Sequence, residues 1–293
     1  MPRWQTKWQT KQNQQQGLRK TIAVTMGLLY LTIMPLLANP IASASPISQQ
    51  FTPSNASSKR IVDHKILDQL LEAHIQTDSE GLNRVNYKTL KVKQPQLQTY
   101  LQQLQAVKAT DLNKAEQFAF WANLYNAVTL DVVLTAYPVK SIRDIDISPG
   151  LFSNGPWGKK LVRVENTPLS LDDIEHKILR VVFKDPRVHY AVNCASIGCP
   201  NLRKQAFTGP KLEQQLEAAA TAYVNSNRGL KITNGRIEAS KIYSWFRKDF
   251  GKDEKAVLDH LQRYANPSLK AKLQQATSIR RYHYDWNLND TAR

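Results

Sequence analysis

The stretch that most restricts the fold is AEQFAFWANLYNAVTLDVVLTAY, residues 115–137, which no proline or glycine interrupts. At 100° per residue its apolar side chains cover every face. A helix of that kind is stable only when neighbours bury it on all sides. Asn123, Asn126 and Asp131 interrupt the apolar pattern, so it reads as a central core helix rather than a membrane span.

The rest of the chain offers elements to surround it. IVDHKILDQLLEAHI has apolar residues at 62, 66, 70 and 71, a helical spacing. PQLQTYLQQLQAV predicts a second helix, with Pro95 suited to the first turn. SLDDIEHKILRVVF predicts another, opened by Ser170 and Asp173 in capping-box spacing. RVHYAV alternates and reads as a strand. PKLEQQLEAAATAYVNS, KIYSWFRKDFG and DEKAVLDHLQRYA read as helices, the second ended by Gly251. LKITNGRIEAS is the clearest hairpin, because Asn234-Gly235 fits a two-residue turn with positive φ. SIRRYHYDWNLN closes the chain as a strand and loop. The predicted fold is α+β, a helix-rich single domain over residues 59–293 with a small sheet.

Ahead of that domain, residues 1–20 carry five basic residues and no acid. An apolar run, TIAVTMGLLYLTIMPLLA, and the small residues ASA at 42–44 come after them. This is the pattern of a secretory signal peptide over residues 1–44, cleaved after Ala44, with an uncleaved anchor as the alternative. Residues 45–58, SPISQQFTPSNASS, read as a polar linker. The export signal predicts a periplasmic or extracellular protein. Removing five of the 40 basic residues leaves 35 against 24 acidic ones, a charge of +11. The excess is scattered. It fits a solvated basic surface, with an anionic polymer as a partner it could attract. Nucleic acid is not expected, because no binding motif accompanies the charge.

Several residues are candidates for chemistry. Glu175 falls inside the apolar stripe of its helix, between Leu171 and Leu179. A buried carboxylate needs a partner or takes up a proton. His176, beside it, lies at the edge of that stripe and can reach a cleft. Asn123 and Asn126, three apart, are neighbours on the core helix. They either tie that helix to loops or point amide donors into a pocket. Both cysteines lie in HYAVNCASIGCP, residues 189–200. If the segment stays extended, His189 and Cys194 point to opposite faces about 16 Å apart, whereas His189 and Asn193 share a face. His176 is then the better base for Cys194. Four readings of Cys194 stand side by side: a nucleophile activated at a strand-to-turn junction, a disulfide with Cys199, a buried packing thiol and a metal ligand. The last is the weakest, since two cysteines and histidines without ligand spacing make no zinc set. No metal or cofactor is expected.

The segments AFWANLYNAVTLDVVL, YPVKSIRDI, PWGKKLVRVENTPLSLDDIEHKILR, DPRVHYAVNCASIGCPNL, SKIYSWFRKDF and YDWNLN occur in that order. Together they resemble the family called domain of unknown function 547, over about residues 60–290. The matching positions include Trp121, Asn123, Tyr125 and Asn126, then Ile174, Glu175 and His176. They continue with His189, Ala191, Asn193, Cys194, Ala195 and Ser196, then Cys199 and Pro200, and end with Tyr284, Asp285, Trp286, Leu288 and Asn289. The resemblance carries no settled activity. It does bear on the cysteines: the family includes intracellular plant proteins, where disulfides are disfavoured, which weakens the disulfide reading and helps the thiol reading.

These residues support two functional expectations. One is an exported cysteine-dependent hydrolase or acyltransferase acting on an amide or ester of the cell envelope. Cys194 would be the nucleophile, His176 or His189 the base, and Glu175 or Asp285 its orienter. Asn123, Asn126, Asn193 and Asp285 would contact substrate. The other is a non-catalytic binding or scaffold domain, in which those polar residues lock the fold.

Overall fold

The computed structural model describes residues 45–150, 154–233 and 235–292. The predicted signal peptide and Asn234 of the hairpin turn lie outside the described residues. The fold is α+β and helix-rich, with small sheets.

Helix α1, Pro46–Phe51, stands where a polar linker was expected. Its composition is polar, but Ile47 and Phe51 are four apart and share one face. Phe51 is fully buried and meets Trp121 edge-on, with ring centroids 4.8 Å apart. Helix α2, Lys65–His74, leads into a small antiparallel hairpin, β1 Ile75–Thr77 with β2 Asn83–Val85. Helix α3, Gln94–Gln105, lies against α4, Lys114–Ala136. Asn113 caps α4 by accepting from the Glu116 amide. As its sequence demands, α4 is buried along nearly its whole length. Among the described residues no helix is long and apolar enough to cross a membrane.

Strands β3, Val162–Val164, and β4, Thr167–Leu169, form a second hairpin that delivers the chain to Ser170. The capping box there is reciprocal. The Ser170 amide and hydroxyl donate to Asp173 Oδ2, and the Asp173 amide donates back to Ser170 Oγ. The chain then enters a π-helix, Asp173–Phe183, with i→i+5 pairing in place of the α-helix expected from periodicity. RVHYAV is not a strand. Val188–Ala191 forms a single helical turn, α5. All four of its residues are buried, so their apolar character reflects burial on every side rather than a two-residue period.

Helix α6, Leu212–Val224, precedes the predicted hairpin, β5 Leu230–Thr233 with β6 Arg236–Ser240, paired Leu230↔Ala239. KIYSWFRKDF forms two short helices, α7 Lys241–Trp245 and α8 Arg247–Phe250, broken at Phe246. Helices α9, Glu254–Tyr264, and α10, Pro267–Gln274, cover this part, and β7, Ile279–His283, runs parallel to β6. One apolar core surrounds α4 and another fills the space under β5, β6 and α9. Residues from both cores line the cavity between them.

The closing motif YDWNLN is a strap for the cysteine loop. Ile197 and Gly198 amides donate to the Asn287 and Asp285 carbonyls at 2.8 Å, and the Asn289 amide reaches the Ala195 carbonyl. Gly198 is required at this contact. A Cβ there would stand 2.8 Å from the Asp285 nitrogen, inside van der Waals contact.

Candidate functional site

The cavity has a volume of about 310 Å³. Glu175, His176, His189 and Cys194, the four predicted catalytic residues, all line it. The π-helix supplies Glu175 and His176 as consecutive residues. Turn α5 supplies His189, and the loop after it supplies Cys194. Part of the lining is aromatic. Trp245 stacks on Trp286 at 5.6 Å, and Tyr284 packs against both.

His189 is sealed, with 2% of its surface exposed, between Phe246, stacked at 4.2 Å, and Phe250. Its Nε2 lies 2.7 Å from Asp249 Oδ2. Asp249 also receives Arg180 Nε at 2.5 Å and Nη2 at 3.0 Å, a two-point clamp. Burial works against the Asp249 charge, but the hydrogen bonds from His189 and Arg180 outweigh it and hold the carboxyl well below the usual range. Asp249 is therefore ionised and His189 Nε2 carries the proton. Burial lowers the His189 pKa, so the ring is neutral and its Nδ1 holds a lone pair. That Nδ1 stands 3.9 Å from Glu175 Oε1.

Glu175 is buried at 8% exposure, as its place in the stripe predicted. Burial raises its pKa above 4.5; the Arg180 charge and the Tyr125 hydroxyl bound to it pull the other way. His176 is the more open of the two histidines, with 21% of its side chain exposed. Arg180 Nη1 donates to its Nδ1 at 3.2 Å. A guanidinium can only donate, so His176 Nδ1 is the acceptor and Nε2 carries the proton. Burial lowers its pKa to about 4, which leaves it neutral at pH 7. His176 consequently presents a hydrogen-bond donor at Nε2, 3.7 Å from Asp172 Oδ1.

The remaining assignments change. Cys194 and Cys199 are paired in a disulfide, with Cα atoms 6.3 Å apart, so the expected free thiol at Cys194 is not present in this form. The loop curls back on itself: Asn193 Nδ2 donates to the Pro200 carbonyl at 2.7 Å, which brings the two sulfurs together. Of the four predicted substrate contacts, three are tied to backbone groups and the fourth, Asp285, is exposed. Asn123 donates to the Phe207 carbonyl and accepts from its amide. Asn126 spans from the Ala191 carbonyl to the Asn193 amide. Asn193 also accepts from the Ala195 amide, and Asp285 accepts from the Asn287 amide in a local turn. The three asparagines are buried at 1–6% exposure, and none of the four residues lines the cavity. His189 and Asn193 do not share a strand face, because no strand exists there.

Arg180, Asp249 and Tyr125 complete the site; Arg180 and Asp249 were not singled out from sequence, and Tyr125 only as a position matching the family pattern. Arg180 lies four residues after His176, a spacing that places them side by side on a helix. Asp249 sits in SKIYSWFRKDF with no local signal of its role.

No curated protein and no solved structure matches the chain. Residues 109–224, which hold α4, the π-helix and both cysteines, match the family described as Protein of unknown function, DUF547, and this match supports assigning the chain to that family.

Proposed function

We propose that the protein is a cysteine-dependent hydrolase or acyltransferase of amides or esters, exported to the cell envelope and latent while Cys194 is paired. The observation that carries this reading is the shared cavity. It gathers Cys194, Glu175, His176 and His189 beside an aromatic wall, with Asp249 and Arg180 behind them. The disulfide accords with an oxidising compartment outside the cytoplasm.

In the dithiol form, the Cys194 thiol passes its proton to the Glu175 carboxylate, and the sulfur attacks the substrate carbonyl. A carboxyl with a raised pKa suits that exchange near neutral pH. His189 Nδ1 faces Glu175 and steadies its protonated form, while Asp249 fixes the His189 tautomer. Neutral His176 donates from Nε2 to the carbonyl oxygen as it gains charge. Glu175 then returns its proton to the departing amine or alcohol. Water or a second nucleophile takes the acyl group from sulfur and restores the thiol.

The test uses protein reduced and then freed of reductant, since small thiols cleave activated esters themselves. A chromogenic ester and an aryl amide are offered, the reaction is quenched in acid, and the Cys194 peptide is weighed. An acyl adduct on Cys194 is expected, absent in Cys194→Ala and formed at least ~100-fold more slowly in Glu175→Gln. Turnover that is equal in wild type and Cys194→Ala, or no adduct at all, overturns the reading. Saturable binding without turnover would leave a binding domain in its place.

A further inference from the structure

The two sulfurs of the disulfide are not equivalent. Cys199 is buried at 3% exposure, whereas Cys194 is partly exposed on the cavity wall. One donor is specific to the buried one and two are shared. The Cys194 amide lies 3.0 Å from Cys199 Sγ, while the Tyr284 hydroxyl lies 3.1 Å from Cys199 Sγ and 3.2 Å from Cys194 Sγ, and the Ser196 hydroxyl 3.5 Å and 3.4 Å from them. With neither sulfur carrying hydrogen, these groups are the donors. An amide and two hydroxyls are what a departing thiolate needs, since hydrogen bonds to the charged form favour it.

The disulfide is also redundant as a fastener. It closes a loop of sequence separation 5, and short loops gain least from a crosslink. The same loop is already tied by the YDWNLN strap, by Asn193 to the Pro200 carbonyl, by Arg228 Nη1 to the Cys199 carbonyl and by Tyr223 to the Gly198 carbonyl.

We propose that Cys194–Cys199 is a redox-active pair that exchanges with a dithiol entering the cavity. One thiolate of the dithiol attacks Cys194 Sγ. A mixed disulfide forms there, the Cys194–Cys199 bond breaks, and its electron pair leaves on Cys199 Sγ among the three donors. The second thiolate of the dithiol attacks its own sulfur in the mixed disulfide and releases Cys194 as a thiolate. The dithiol ends as a disulfide, two electrons reside on the cysteine pair, and its two protons pass to the thiolates according to pH. The consequence for catalysis rests on the reading above, because this exchange produces the nucleophile.

The experiment counts thiols in folded protein. Wild type isolated under air is expected to show none, and two after neutral dithiothreitol, with an unchanged far-ultraviolet spectrum. A reduced protein dithiol of the thioredoxin type, run in parallel, tells whether a protein donor reaches the site or only a small one. In Cys199→Ala, Cys194 is expected to react with an aromatic disulfide reagent at least ~100-fold faster than Cys199 does in Cys194→Ala. Tyr284→Phe and Ser196→Ala are each expected to slow reduction of the disulfide by about tenfold, as a poorer leaving thiolate does. Reduction only in denaturant, equal reactivity of the two single-cysteine variants, or two free thiols in the air-isolated protein each overturns the proposal. Ready reduction without acyl transfer would leave the redox pair standing and remove the hydrolase. Acyl transfer by a protein whose disulfide resists reduction would overturn both, because Cys194 would then not be the nucleophile.

Discussion

His189 Nε2 lies 2.7 Å from Asp249 Oδ2, and the same oxygen receives Arg180 Nε. The three residues come from a helical turn, a short helix and the π-helix. Because an ionised carboxylate only accepts, this contact decides which nitrogen of His189 is protonated and aims the other at Glu175.

Replacing Asp249 with Asn tests that role. The amide has no charge and one accepting oxygen in place of two, so it cannot keep the two-point Arg180 clamp as the carboxylate does, and the Nε2–H tautomer loses its hold. Nitrogen-detected NMR is expected to show the His189 proton moving toward Nδ1. Acylation of reduced protein is expected to fall by about 10²–10⁴-fold. Stability is expected to drop by about 2 kcal/mol, between the values for exposed and buried pairs, because both side chains keep 22% exposure. An unchanged acylation rate would remove Asp249 from the mechanism.

Glu175→Gln separates charge from packing. Had Glu175 faced a buried cation, the change would cost about 3–5 kcal/mol. Its nearest partners are instead the Tyr125 hydroxyl and two histidines that burial keeps neutral. A group whose folded pKa is raised contributes stability below its unfolded value, here 4.5, and loses it as pH rises through the folded pKa. At pH 8 the carboxylate is therefore a cost. The glutamine amide can donate to His189 Nδ1 and accept from Tyr125. Glu175→Gln is expected to melt about 2–4 °C higher than wild type at pH 8, roughly 1 kcal/mol, and at no higher temperature at pH 4. A large drop in melting temperature at pH 8 would show that the charge is paired.

Acid is expected to destabilise the fold through its histidines. His64, at 4% exposure, is bonded to Tyr100 and Asn123, and burial lowers its pKa to about 4; His176 and His260 are lowered to about 4 for the same reason. The unfolded chain takes up these protons near 6.5, while the folded one resists them until about 4. Their contribution is complete above 6.5 and is lost as pH falls through that window. His64 alone accounts for about 3 kcal/mol. Urea midpoints between pH 7 and 4 should decline, and His64→Asn should flatten the decline. A midpoint independent of pH across this window would contradict the burial of neutral imidazoles.

Sequence by itself determined what repeats along the chain. The all-round apolar pattern of residues 115–137 required a buried central helix, and α4 is one. Ser170 and Asp173 named a helix start, and Glu175 within an apolar stripe named a buried acid, both seen in the fold. These are local signals, written in residues three to eight positions apart. Tertiary structure decided the rest, for two physical reasons. Short segments packed on all sides lose their periodicity, so α5 resembled a strand and α1 a linker, although Phe51 is wholly buried. And the state of a polar group is set by partners distant in the chain. Asp249, 60 residues from His189, chose its tautomer; Arg180 chose that of His176. Asn123, Asn126 and Asn193 became ties because backbone groups met them first. The cysteine spacing allowed a thiol or a disulfide alike. The curl of the loop between the Asn193 side chain and the Pro200 carbonyl brought the sulfurs together, and that curl depends on a strap from the far end of the chain.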